Sequence, residues 1–148
     1  MIKVKKLGVI LEPTKIPFES QAVLNPGTYQ EGKFVHLFYR AIDKRNRSSI
    51  GYAKLDGPTK VIERSRKPIV RRTFDYEKKG VEDPRIVKIG NIFYLLYVAH
   101  DGKNALTAYA TSHDLKHFKK HGVVSAQITY HEAELIFKKN PRLKDAYF

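Results

Sequence analysis

The sequence predicts an all-β protein built from repeated small antiparallel sheets of the β-propeller kind, about two and a half blades in extent. Three observations predict it. Apolar and aromatic residues fall in short runs bounded by turn residues, those runs recur at a fixed spacing, and no segment keeps a helical period over three or more turns. Nine Tyr and eight Phe with no Trp suit strands, where rings and β-branched side chains pack well.

The repeat carries the prediction. Gly32-Lys33-Phe34-Val35-His36-Leu37-Phe38-Tyr39-Arg40-Ala41 lies over Gly90-Asn91-Ile92-Phe93-Tyr94-Leu95-Leu96-Tyr97-Val98-Ala99, 58 residues on. Ile50-Gly51-Tyr52-Ala53-Lys54-Leu55-Asp56-Gly57 lies over Thr107-Ala108-Tyr109-Ala110-Thr111-Ser112-His113-Asp114, 57 residues on. Each unit reads as strand, polar turn, strand, then further extended chain, with the turn at Asp43–Arg47 in one and Asp101–Asn104 in the other. Helical repeats do not fit that pattern, and short strands at this period read as propeller blades. Asp145-Ala146-Tyr147-Phe148 reads as the opening of a third unit. Closed propellers carry roughly four to eight blades, so the chain is expected to be a truncated product or a piece completed by further blades or a second copy.

Composition narrows the classes. A chain of 148 residues with 42% apolar content fits one domain, here an incomplete propeller over 1–148. Cysteine is absent, which excludes disulfides, thiolate nucleophiles and Cys-based zinc sites. Leu7-Gly8-Val9-Ile10-Leu11 is too short for a signal core and no run could span a bilayer, so the default location is cytoplasmic. The net charge of +13 invites anionic partners. Its Lys and Arg are spread over turn-like places rather than one arm, so a solvated basic surface is favoured over nucleic-acid binding. His113, His117 and His121 are spaced like ligands on a helix, but their basic, turn-like surroundings favour a solvated turn, and no metal site is expected.

Three segments sit where strands meet turns and could carry chemistry. Asn25-Pro26-Gly27 is a turn on local grounds. Arg40 ends an apolar strand, so it either snorkels to solvent or points into a polar channel. Gly80-Val81-Glu82-Asp83-Pro84-Arg85-Ile86 is either a rigid acid site or a surface ion pair. In this order and spacing, with Ser48-Ser49-Ile50-Gly51-Tyr52-Ala53, Asp56-Gly57, Tyr76-Glu77 and Ser112-His113-Asp114-Leu115, the segments resemble glycoside hydrolase family 130. The resemblance covers nearly the whole chain, and the Gly80–Ile86 run is its most specific part.

That resemblance implies a five-bladed propeller of which this is the N-terminal portion, and inverting cleavage of β-mannosidic bonds in manno-oligosaccharides by phosphorolysis or hydrolysis. It implies Asp83 as the general acid, with Asn25, Arg40 and Arg85 as sugar-binding residues. No cofactor is implied beyond inorganic phosphate as a candidate co-substrate. Family members have been proposed to relay the proton through a sugar hydroxyl. Ser49 stands where many members carry arginine, and His100 where many have an aromatic residue. The groups that hold phosphate, and the bases of the hydrolases, would follow Phe148. The alternative reading is a catalytically incomplete sugar-binding or assembly fragment.

A general acid must hold its proton near neutral pH, which asks for burial or a negative neighbour such as Glu82; Arg85 would oppose this if it faced Asp83. Strand alternation predicts that Asp83 faces the channel while Glu82 and Pro84 face away.

Overall fold

The computed structural model describes residues 3–124 and 130–139. Strands β1 (Ala22–Glu31), β2 (Phe34–Ile42), β3 (Ser48–Asp56) and β4 (Lys60–Arg64) form one antiparallel sheet. Strands β5 (Gly80–Ile89), β6 (Ile92–His100), β7 (Ala105–Ser112) and β8 (Lys119–Val123) form the next. Among the described residues, one parallel bridge, Ser48 to Gly80, is the only ladder contact between them. These are two propeller blades, each meandering from an inner strand outward, and the repeat read from the sequence is their repeat.

Local chemistry explains the matching turns. Asp43 Oδ1 accepts the backbone N–H of Arg45 and of Arg47, and Asp101 Oδ1 accepts those of Lys103 and Asn104. Such Asx turns reverse the chain without help from the core. Four N–H bonds placed one repeat apart make two turns of one design.

Alternation assigns each blade two faces. Phe38, Ile50 and Tyr52 of the first blade pack against Val81, Leu95, Tyr97 and Ala99 of the second in the main core. The first blade's other face, with Leu37, Tyr39 and Leu55, is covered by Leu11 and Phe18 from the N-terminal segment. Phe38 is fully buried, whereas Leu96, its counterpart one repeat on, is 38% exposed. The difference is the neighbour: no described blade packs on that second face.

Each blade also buries one carboxylate. Glu19 ends the short 3-10 turn Pro17–Glu19, and Glu77, 58 residues later, ends Asp75–Glu77; both are fully buried. Glu19 accepts the Tyr39 hydroxyl at 2.7 Å and pairs with Arg64 at 3.0 Å. Glu77 accepts the Tyr97 hydroxyl at 2.8 Å and pairs with Lys120 at 2.6 Å. Thus the Tyr76-Glu77 signature is an anchor of the blade. A buried charge is tolerable only with such partners.

Helix α1 (Tyr130–Lys139), about three turns long, follows the second blade. It carries His131 and Glu132 in its first turn. The strand expected at Asp145–Phe148 lies outside the described residues. No described helix is long and apolar enough to cross a membrane. His113, His117 and His121 lie on a turn and on β8, bonded to Asn91, Asp114 and Thr111 respectively.

Three buried phenols make stability depend on alkaline pH. Burial raises Tyr39 and Tyr97, each helped by its bonded glutamate, and burial with Glu63 nearby raises Tyr52 to about 12. An unfolded tyrosine titrates near 10. Above that pH the unfolded chain binds fewer protons than the folded one, so stability present below pH 10 is lost as pH rises through the folded values. Lys120, lowered by burial, acts oppositely only between its folded value and 10.5. Urea unfolding from pH 8 to 11.5 should therefore show a midpoint that falls above about pH 10.5. A midpoint still rising at pH 11.5 would contradict the burial of the three rings.

Candidate functional site at the meeting of the two inner strands

The two inner strands bulge at the same repeat position. The β1–β2 register shifts between Leu24 and Gly27, and the β5–β6 register shifts between Glu82 and Arg85. Within the bulges, Asn25 and Asp83 both have φ of +47°. Both precede proline, which ordinarily biases a residue toward extended backbone. Asn and Asp enter the left-handed region at lower cost than bulkier residues, and a bulge re-aims its side chain while the strand continues. Equal outliers 58 residues apart are one local design used twice.

The bulges bring the residues together. Asn25 Nδ2 donates to Asp83 Oδ1 at 2.7 Å. Gly27 permits this approach, because a Cβ on it would overlap the Pro84 carbonyl. From the second strand of the first blade, Arg40 NH1 lies 3.8 Å from Asp83 Oδ1, while NH2 donates to Glu82 Oε1 at 2.7 Å. Arg40 Nε donates to Ser48 Oγ at 2.9 Å. Three groups thus hold the guanidinium plane, a geometry that only arginine's fixed fork can use.

Asn25, Arg40 and Asp83, named from sequence, therefore form one cluster. Arg85 does not join it: its guanidinium donates to the Pro84 carbonyl and the residue is exposed. The expectation for Glu82 is corrected. Strand alternation was to turn it away from Asp83, but the bulge interrupts alternation, and both carboxylates reach Arg40. Gly80 makes room for this, since a Cβ there would meet the Glu82 carboxylate. Ser48 was missed as a support for Arg40. Its only sequence signal was its place two residues before Ile50-Gly51.

Chemically, the cluster offers an amide and a guanidinium that can bind hydroxyls, and a carboxyl group with a side chain 36% exposed. Asp83 Oδ2 has no partner among the described residues, so it is open to a ligand. Side chains from the two neighbouring blades are thereby brought into one polar cluster.

A family model described as beta-1,4-mannooligosaccharide phosphorylase, glycoside hydrolase family 130, matches residues 6–145. The chain belongs to glycoside hydrolase family 130. Among curated relatives of this family-130 chain, the Beta-1,2-mannobiose phosphorylase of Thermoanaerobacter sp. (strain X514) is 38% identical, over 78% of this chain and 43% of that protein. The 1,2-beta-oligomannan phosphorylase of the same strain is 33% identical, over 84% of this chain and 46% of that protein. A crystal structure of a glycosyl hydrolase from Bacteroides ovatus superposes with a TM-score of 0.73 at 25% identity, over 84% of this chain and 41% of that one. The family-130 chain spans less than half the length of the curated relatives it matches.

Replacing Gly27 with Ala should destabilise the fold, because the added methyl meets backbone rather than a movable side chain. Overpacking of this kind costs about 1–3 kcal/mol, readable as a lower urea midpoint. An unchanged midpoint would show that the inner strands are not in contact at this point.

Proposed function

We propose that this chain is the N-terminal part of an enzyme that cleaves β-mannosidic bonds in manno-oligosaccharides with inversion, using inorganic phosphate. The observation that carries the proposal is the convergence of Asn25, Arg40 and Asp83 at paired bulges. Asn25 and Arg40 hold hydroxyls of the mannosyl unit on the side of the bond that is cleaved. Arg85, exposed nearby on β5, is a further sugar contact once its guanidinium leaves the Pro84 carbonyl.

Asp83 acts as the general acid. Its proton passes, directly or through a sugar hydroxyl, to the glycosidic oxygen as the bond from that oxygen to the anomeric carbon breaks. A phosphate oxygen attacks the same carbon from the opposite face, which inverts it. The products are mannose 1-phosphate and the shortened acceptor, and Asp83, left as a carboxylate, regains a proton from solvent. Glu82 and Ser48 do not touch the sugar; they fix the Arg40 plane. The relatives named as β-1,2-mannobiose and oligomannan phosphorylases support phosphorolysis over hydrolysis, and β-1,2 over β-1,4 linkage.

A second reading is a sugar-binding or assembly fragment without turnover. It is favoured by the exposed Leu96 face, on which no described blade packs. Further blades or a second copy would close it.

Incubation of the chain with β-1,2-mannobiose, with and without phosphate, tests both. Phosphate-dependent release of mannose 1-phosphate, lost in Asp83→Asn with folding unchanged, is the expected result. Mannose release without phosphate would replace phosphorolysis by hydrolysis. Saturable binding without product supports the fragment reading, and undiminished turnover in Asp83→Asn removes Asp83 from the acid role.

A further inference from the structure

The sugar-cleaving reading leaves the positive charge of the chain without a use. Much of that charge lies on the segment joining the blades, Arg64 to Arg72, and on the start of β8. The structure brings these together. A cavity of about 1060 Å³ opens between the connecting segment and the 116–120 stretch. No Asp or Glu lines it.

Its cations fall into two sets. Lys116 and Lys120 are paired with Glu63 and Glu77, and the His117 ring is hydrogen-bonded to Asp114. Lys67, Arg71 and Lys119 line the same cavity, are exposed, and have no ion pair among the described residues. Arg71 is close enough to Lys120 to disfavour its charge, adding to the effect of burial. Three like charges are therefore held around one groove with no counter-charge of their own.

The floor is apolar. Ile69, Val70 and Phe118 line it, and Phe74 stands at its side 43% exposed. Phe74 already stacks on Tyr76 with centroids 5.1 Å apart and lies under the Lys120 ammonium, while Phe118 packs edge-on against Phe38. Both rings are committed to protein contacts rather than offered as stacking platforms for bases, on which single-stranded nucleic acid relies. Apolar side chains between spaced carboxylates match such a groove better than a phosphodiester chain does. The groove also reaches Lys119 and Lys120 of β8, a strand that pairs only with β7 among the described residues. Its outer edge offers backbone groups that a polypeptide can pair and a nucleic acid cannot.

We propose that the groove between the blade connection and β8 is a docking surface for an acidic polypeptide segment that also carries apolar side chains. Lys67, Arg71 and Lys119 engage its carboxylates, and the floor takes its apolar residues. None of these residues belongs to the cluster of Asn25, Arg40 and Asp83, so docking there is independent of the proposed cleavage.

The test is fluorescence anisotropy with a labelled twelve-residue peptide alternating Glu and Leu, beside a twelve-residue oligothymidylate. The whole chain is compared with two triple variants. One is Lys67→Glu, Arg71→Glu and Lys119→Glu; the other, Lys3→Glu, Lys5→Glu and Lys6→Glu, makes the same change of charge elsewhere. The expected result is peptide binding that weakens at least about tenfold in the groove variant, stays within about twofold in the N-terminal variant, and falls as salt rises. Circular dichroism checks folding; should the groove variant unfold, Lys67→Ser, Arg71→Ser and Lys119→Ser replaces it with the same expectation. Equal weakening in both variants would reduce the effect to net charge and overturn the proposal. No peptide binding, undiminished binding in the groove variant, or tighter binding of the oligothymidylate would overturn it as well.

Discussion

The hydrogen bond from Asn25 to Asp83 depends on two residues held at positive φ ahead of proline, and the site depends on that bond. Residues in the left-handed region cost of order 1–3 kcal/mol each and persist where surrounding structure over-determines them. Here the surroundings are specific. Proline fixes the following backbone, the outer strands hold each ladder on both sides of its bulge, and Gly27 lets the two inner strands touch. Without the bulges, Asp83 and Glu82 would point to opposite faces of β5. With them, both reach one guanidinium.

The repeat explains how the scaffold tolerates this. Each blade carries its own Asx turn, its own buried glutamate with a tyrosine and a cation, and its own bulge. The blades differ in sequence at many positions, and one of those differences shapes the site. Arg40 of the first blade corresponds to Val98 of the second, so among the described residues the guanidinium stands at the junction of the two blades and has no counterpart on the second. Asn25 and Asp83 occupy equivalent positions yet differ by one group. The amide of Asn25 donates and the carboxyl group of Asp83 accepts.

Much of this was legible in the sequence. The strand runs and turns repeat plainly enough to give the blades, and Asn25, Arg40 and Asp83 stood out at strand ends. What was not legible depends on tertiary contact. Asp before Pro reads as extended backbone, so alternation placed Glu82 on the wrong face; only the pairing of β5 with β6 exposes the bulge. Glu19 and Glu77 share the 58-residue offset, but a charged residue in a polar loop gives no sign of burial until its tyrosine and cation are seen. Arg85 lies within the most specific motif, and the motif alone does not say that its guanidinium folds back onto Pro84. Lys119 lies 48 residues beyond Arg71 in the chain, and spacing along the sequence hides that it lines one groove with Lys67 and Arg71.

A crystal structure of the chain soaked with β-1,2-mannobiose tests the central claim most directly. The account predicts positive φ at both Asn25 and Asp83, their side chains within hydrogen-bond reach, and the mannosyl ring bridging them with Arg40. Extended backbone at either residue, or a sugar bound away from that junction, would contradict it.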